Sequence, residues 1–165
     1  MASPIDVEGP IRAEVFTVAL DGDTMILTGP CGPAPWHIEL HGEEHPLETA
    51  RRIVADALPV VLLVHSTSWR WEAGITTLTF LAVVPDDTIG SMEAESVERA
   101  DLARSAAAEA PTSIEYRQVL EHALRHLAWL ASEDEAVKTA LSPDWHDKLA
   151  SYVPEPFQQL HGGKT

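Results

Sequence analysis

An amphipathic helix that runs almost directly into a β-branched apolar strand is the feature that most constrains this chain. Leu47, Ala50, Val54 and Leu58 recur at helical spacing, so one face of that segment is buried. Pro46 stands where a first-turn proline is tolerated, and Pro59 stops the helix. Glu43, Glu44 and Glu48 crowd the N-terminal end, where the helix dipole favours negative charge. Val60 to His65 then reads as a buried strand, while the stretch before the helix, from Trp36 to His45, reads as a polar loop.

The rest of the chain divides into a strand-rich first half and a helical second half. Arg12 to Leu20 alternates as a strand, and Asp21-Gly22-Asp23 is a turn into Thr24 to Thr28. GPCGPAP, Gly29 to Pro35, is an exposed loop. Arg70 to Val84 reads as two strands turning near Glu72-Ala73-Gly74. From Ser91 to Pro111, alanine and glutamate predict a helix beginning near Ala94. Thr112 with Glu115 forms a capping box ahead of a stripe of Tyr116, Leu120, Ala123, Leu127 and Leu130. Ser132 with Glu135 opens a short helix to about Leu141, and Ser142-Pro143 opens another that ends before Pro154. Residues 1–90 are therefore expected to form an α/β core with a loose N-terminal tail, and residues 91–165 to add helices to the same domain.

The helix segment resembles the Nudix box, G-x5-E-x7-R-E-U-x-E-E-x-G-U with U a bulky apolar residue. Glu44 followed after seven residues by Arg52 reproduces E-x7-R, and Val54 falls on the first U. The resemblance implies a Nudix-like αβα sandwich with a mixed sheet and, here, a C-terminal helical extension. It also implies carboxylates that hold Mg2+ or Mn2+ against a diphosphate. The chain departs from the pattern where that chemistry resides: the family's glutamates fall on Ile53, Asp56 and Ala57, its final glycine on Pro59, and its opening glycine on Ile38. Positions 53, 56 and 57 share one helix face, which leaves Asp56, with Glu44 as a second candidate, to grip a metal. A cation held by one or two carboxylates keeps most of its waters and binds weakly. It does little to neutralise charge on a phosphoryl group.

Other candidates lie outside the box. Trp69, Arg70 and Trp71 follow an apolar strand and combine stacking surface with a cation, so they are candidate ligand-binding residues together with Arg52. Trp69 and Trp71 share a side-chain direction in a strand, so packing explains them equally. His41 and His45 are spaced as zinc ligands would be on a helix, but Gly42 and Pro46 interrupt any helix there. His122 and His126 have proper i, i+4 spacing, lack an evident third ligand and read as boundary residues. Arg51 reads as solvated helix surface.

Composition limits the partners. The 165 residues carry a net charge of −15, which argues against nucleic-acid backbones and anionic membranes. A single cysteine, Cys31, leaves no internal disulfide or cysteine-based zinc cluster. No apolar run is long enough to span a bilayer and the N-terminus is no signal peptide, so the expectation is a soluble, cytoplasmic protein. Nucleophile-elbow, P-loop and Rossmann fingerprints are absent. Three readings result: a Nudix-like protein that binds a nucleotide-like or phosphorylated small molecule, or a protein partner, without efficient hydrolysis; a divergent metal-dependent hydrolase of nucleoside diphosphate derivatives; and a structural subunit, with a homodimer as one form.

Overall fold

A computed structural model describes residues 9–90, 92–99 and 115–156 and the backbone of 158–159. The fold is α+β, a mixed sheet covered by helices on both faces. The sheet is built on β1 (Ile11–Asp21), which turns through Gly22-Asp23 into β2 (Thr24–Thr28). Gly22 at φ 60° supplies the positive dihedral that a two-residue hairpin loop requires. β3 (Trp36–Leu40) pairs with the first half of β1, from Ile11 to Val15, and β2 with the second half, from Thr17 to Asp21. The two are successive pieces of one return strand, with the GPCGPAP loop bulging out between them. The stretch expected as a polar loop is thus partly strand: Ile38 is buried against the core, while His37 and Glu39 point the other way.

α1 (Pro46–Ala57) begins with Pro46 in its first turn and His45 as its N-cap, whose Nδ1 accepts from the Glu48 N–H at 3.4 Å. Ala50 and Val54 are fully buried, and Leu58 closes the helix. β4 (Leu63–Glu72) and β5 (Ile75–Val83) form a hairpin, and β5 runs parallel to β1. Ser66 to Trp71 therefore belongs to a strand, with a bulge between Ser66 and Ser68. A single turn, α2 (Asp86–Ile89), leads to β6 (Ala94–Ser96) beside β2. A strand stands where alanine and glutamate predicted the start of a helix, because Ala94–Ser96 completes the open edge of β2. Residues 100–111 of that expected helix lie outside the described residues.

α3 (Tyr116–Glu133) buries Leu120, Ala123, Leu127 and Leu130, while Tyr116 stays exposed. Its capping box is Glu115 with Gln118, and Thr112 lies outside the described residues. α4 (Glu135–Ala140) is capped by Asp134, whose side chain accepts from the N–H groups of Ala136 and Val137, rather than by Ser132. α5 (Pro143–Leu149) is capped by Ser142 as its sequence predicts. The path is completed by β7 (Gln158–Gln159), giving the order β6-β2-β1-β5-β4-β7 with β3 also on β1.

Strand alternation divides the interior into two cores. Phe16, Val18, Leu81 and Val83 face α3, α4 and α5, while Ala13, Val15, Phe80 and Ala82 face α1. No helix among the described residues is long and apolar enough to cross a membrane.

Candidate functional site

The E-x7-R spacing brings Glu44 and Arg52 together. Arg52 Nη2 lies 4.0 Å from Glu44 Oε1, both side chains are exposed, and Glu44 Oε2 accepts the His41 N–H at 2.9 Å. Asp56 is also exposed but stands near the opposite end of α1. Glu44 precedes the helix, and the ten helical steps from Pro46 to Asp56 span about 15 Å at 1.5 Å per residue. Two carboxylates so separated cannot share one ion, and among the described residues no three His, Cys, Asp or Glu groups converge on a metal position. The side chains present do not fit the Mg2+ or Mn2+ that the Nudix resemblance implies. Ile53, at the position of a family glutamate, packs against the α1-side core.

β4 carries the second set of candidates on opposite faces. Trp69 and Trp71 lie across from Leu78 and Thr76 on the α1 side, Trp69 partly buried and Trp71 57% exposed. Arg70 points to the other face and is already engaged. Its two Nη atoms donate to the Glu14 carboxylate at 2.5 and 3.0 Å, and Thr79 Oγ1 donates to the same group at 3.0 Å. Glu14 is 2% exposed. A bidentate pair at this depth is internal structure, so Arg70 is not a free cation for phosphate, and its guanidinium does not meet either tryptophan on one face.

A cleft of about 430 Å³ opens elsewhere, at the start of β4. Its floor is the chain from Val61 to His65; α1 supplies one wall through Arg51 and Ala55. The other wall comes from Asp134 and α4, through Ala136, Val137 and Ala140. The buried strand expected from Val60 begins only at Leu63, and the chain ahead of it is open, with Val60 49% and Leu62 38% exposed. No strand covers the outer edge of the first β4 residues among the described ones. Three polar side chains interrupt the apolar lining. His65 has its pKa lowered, first by burial and then by Arg51, against an opposing pull from Asp134. Such a lining, apolar with a few polar groups, is typical of ligand sites.

Behind the cleft lies a polar layer that the boundary reading of the α3 histidines missed. His122 and His126 are 1% and 4% exposed. His122 Nδ1 lies 3.1 Å from Glu155 Oε2, and His126 Nδ1 lies 3.1 Å from the Glu155 carbonyl. Arg125 donates to both Glu155 and Glu121, and Arg99 spans Glu121 from outside while stacking over Tyr152 at 3.9 Å. Burial lowers the His126 pKa, the carbonyl bond to Glu155 opposes this, and His122 and His65 lower it further. The sequence carried one signal of this layer, the i, i+4 histidines, but nothing that announced Glu155 as the group closing over them.

No family model matches this chain, and no curated protein matches it in sequence.

Proposed function

We propose that this chain is a binding protein that acts through the cleft at the start of β4, and that it does not hydrolyse nucleoside diphosphate derivatives with metal. The observation that carries this reading is the separation of Glu44 and Asp56 along α1, together with the diversion of Glu44 into an ion pair with Arg52. Metal-assisted phosphoryl chemistry needs carboxylates converging on one ion, whereas binding needs only an apolar recess with a few oriented polar groups. The cleft supplies the recess, and Arg51, His65 and Asp134 supply the polar groups. On this reading any kinship with Nudix proteins is one of scaffold, resting on the E-x7-R spacing and the mixed sheet.

The test is a panel of nucleoside diphosphate derivatives incubated with the full chain and Mg2+ or Mn2+, with products separated and counted. The expected result is no turnover above the protein-free control. Turnover of even one compound at ordinary enzyme rates overturns the proposal.

A further inference from the structure

The outer edge of β4 already accepts a strand. Gln158–Gln159 pairs there in parallel, opposite Ser68 and Trp69. Upstream on the same edge, Leu63 to Thr67 has no strand partner among the described residues, and its first three residues, Leu63 to His65, belong to the cleft floor. Unpaired strand edges are templates for further pairing. Helices α1 and α4 flank this one, so an incoming chain is guided into the plane of the sheet. The walls beside it are short: Ala55 on α1, Ala136 and Ala140 on α4. Alanine at those places leaves room for the side chains of an added strand, which alternate toward one wall and the other.

Charge narrows the occupant further. Arg51 stands at the α1 wall with no carboxylate within 4.0 Å among the described residues, on a protein of net charge −15. A free phosphate compound would meet that one cation and His65, with the Asp134 carboxylate on the opposite wall and a mostly apolar surface between, a poor match for several negative oxygens. An extended chain would instead satisfy the strand edge with its own main chain, as strand-addition complexes do.

Building on the binding reading above, we propose that the cleft receives an extended polypeptide segment of a partner protein, added as a strand to the free edge of β4. It carries small apolar side chains over the alanines and a carboxylate toward Arg51. Affinity comes from main-chain hydrogen bonds along Leu63–Thr67, and selectivity from the alternating side chains.

The probe is a random-peptide library displayed on phage and panned against the immobilised full chain, with selected sequences remade as blocked peptides. The expected peptides alternate small apolar residues with an acid, and binding slows amide hydrogen exchange within Leu63–Thr67. Ala55→Trp and Ala136→Trp, both at exposed helix positions, each weaken binding by about tenfold or more with an unchanged melting temperature. Arg51→Glu shifts the selected sequences from acidic to basic, and N-methylation of alternate peptide amides abolishes binding. The proposal is overturned if no peptide is selected or protection falls elsewhere. It is equally overturned if only inorganic pyrophosphate or ADP binds, or if light scattering shows a second copy occupying the edge. Nucleotide turnover would defeat the parent reading; absence of both turnover and peptide binding would defeat this inference alone.

Discussion

Replacing Glu14 by alanine separates the structural account of Arg70 from a ligand-binding one. Glu14 is 2% exposed and accepts two hydrogen bonds from Arg70 and one from Thr79. The Arg70 side chain is itself only 12% exposed, so removal of the carboxylate leaves a nearly buried cation with the Thr79 hydroxyl and the half-exposed Glu72 carboxylate, 3.8 Å from its Nε, as its remaining partners. Removing one partner of a buried pair costs about 3–5 kcal/mol, mainly through the stranded charge. For a chain of this size each kcal/mol moves the melting temperature by about 2–4 °C, so Glu14→Ala should melt roughly 6–20 °C lower. The double change Glu14→Leu with Arg70→Met removes both charges and should recover most of that loss. Urea unfolding followed by circular dichroism on the wild type, Glu14→Leu, Arg70→Met and the double variant gives the cycle, with Glu14→Ala measured beside them. A loss below about 1 kcal/mol in Glu14→Ala would refute the reasoning. So would wild-type protein stabilised by inorganic pyrophosphate in a manner that Arg70→Met abolishes.

Further outcomes follow from particular residues. His65 and His126 have folded pKa values held below 6.5 by burial. Their contribution to stability is therefore full above about pH 6.5 and is lost as pH falls through the lower folded values. Unfolding midpoints from pH 7.5 to 5 should consequently drop more steeply in the wild type than in His65→Asn/His126→Gln; equal slopes would contradict the burial argument. Ala73 occupies the β4–β5 turn at φ 51°, beside Gly74 at φ 79°. Left-handed backbone costs an alanine about 1–2 kcal/mol, against about 0.5–1 kcal/mol of added glycine entropy, so Ala73→Gly should stabilise by a net fraction of a kcal/mol to about 1 kcal/mol. A loss in urea unfolding would mean the turn is not of this type. Leu127 is 1% exposed in the α3-side core, and Leu127→Ala should cost about 2–5 kcal/mol by the same assay. Asp56→Ala, at an exposed position, should change stability by less than about 0.5 kcal/mol and leave any Mg2+ effect on melting unaltered.

Local patterns were legible where a residue's own chemistry sets the backbone. Gly22 and Gly74 marked hairpin turns, Pro46 and Pro59 bounded α1, and Ser142 capped α5. The mixed α+β class followed from strands succeeded by helical stripes. Trp36–Leu40 was read as loop because its histidines and glutamate suggested solvent. They occupy the alternate positions of a strand whose pairing partner, Ile11–Val15, lies far back in sequence. Ala94–Ser96 failed for the same reason, as short edge strands are made by their neighbours rather than by propensity. The site was harder to see. Val60 to His65 looks equally apolar in a central or an edge strand, and the structure begins the strand only at Leu63, on the outer part of the sheet. Arg70 looked available because Glu14, which holds it, is 56 positions away in sequence. The α3 histidines looked like boundary residues because the Glu155 strap that covers them comes from a distant Pro-Glu-Pro segment.

The most direct test of the central claim is a crystal of the full chain grown with excess Mn2+ and a nonhydrolysable nucleoside diphosphate analogue, with an anomalous map calculated at the manganese edge. The account predicts no ordered peak between Glu44 and Asp56. A fully occupied manganese seated there and ligated by both carboxylates would contradict it.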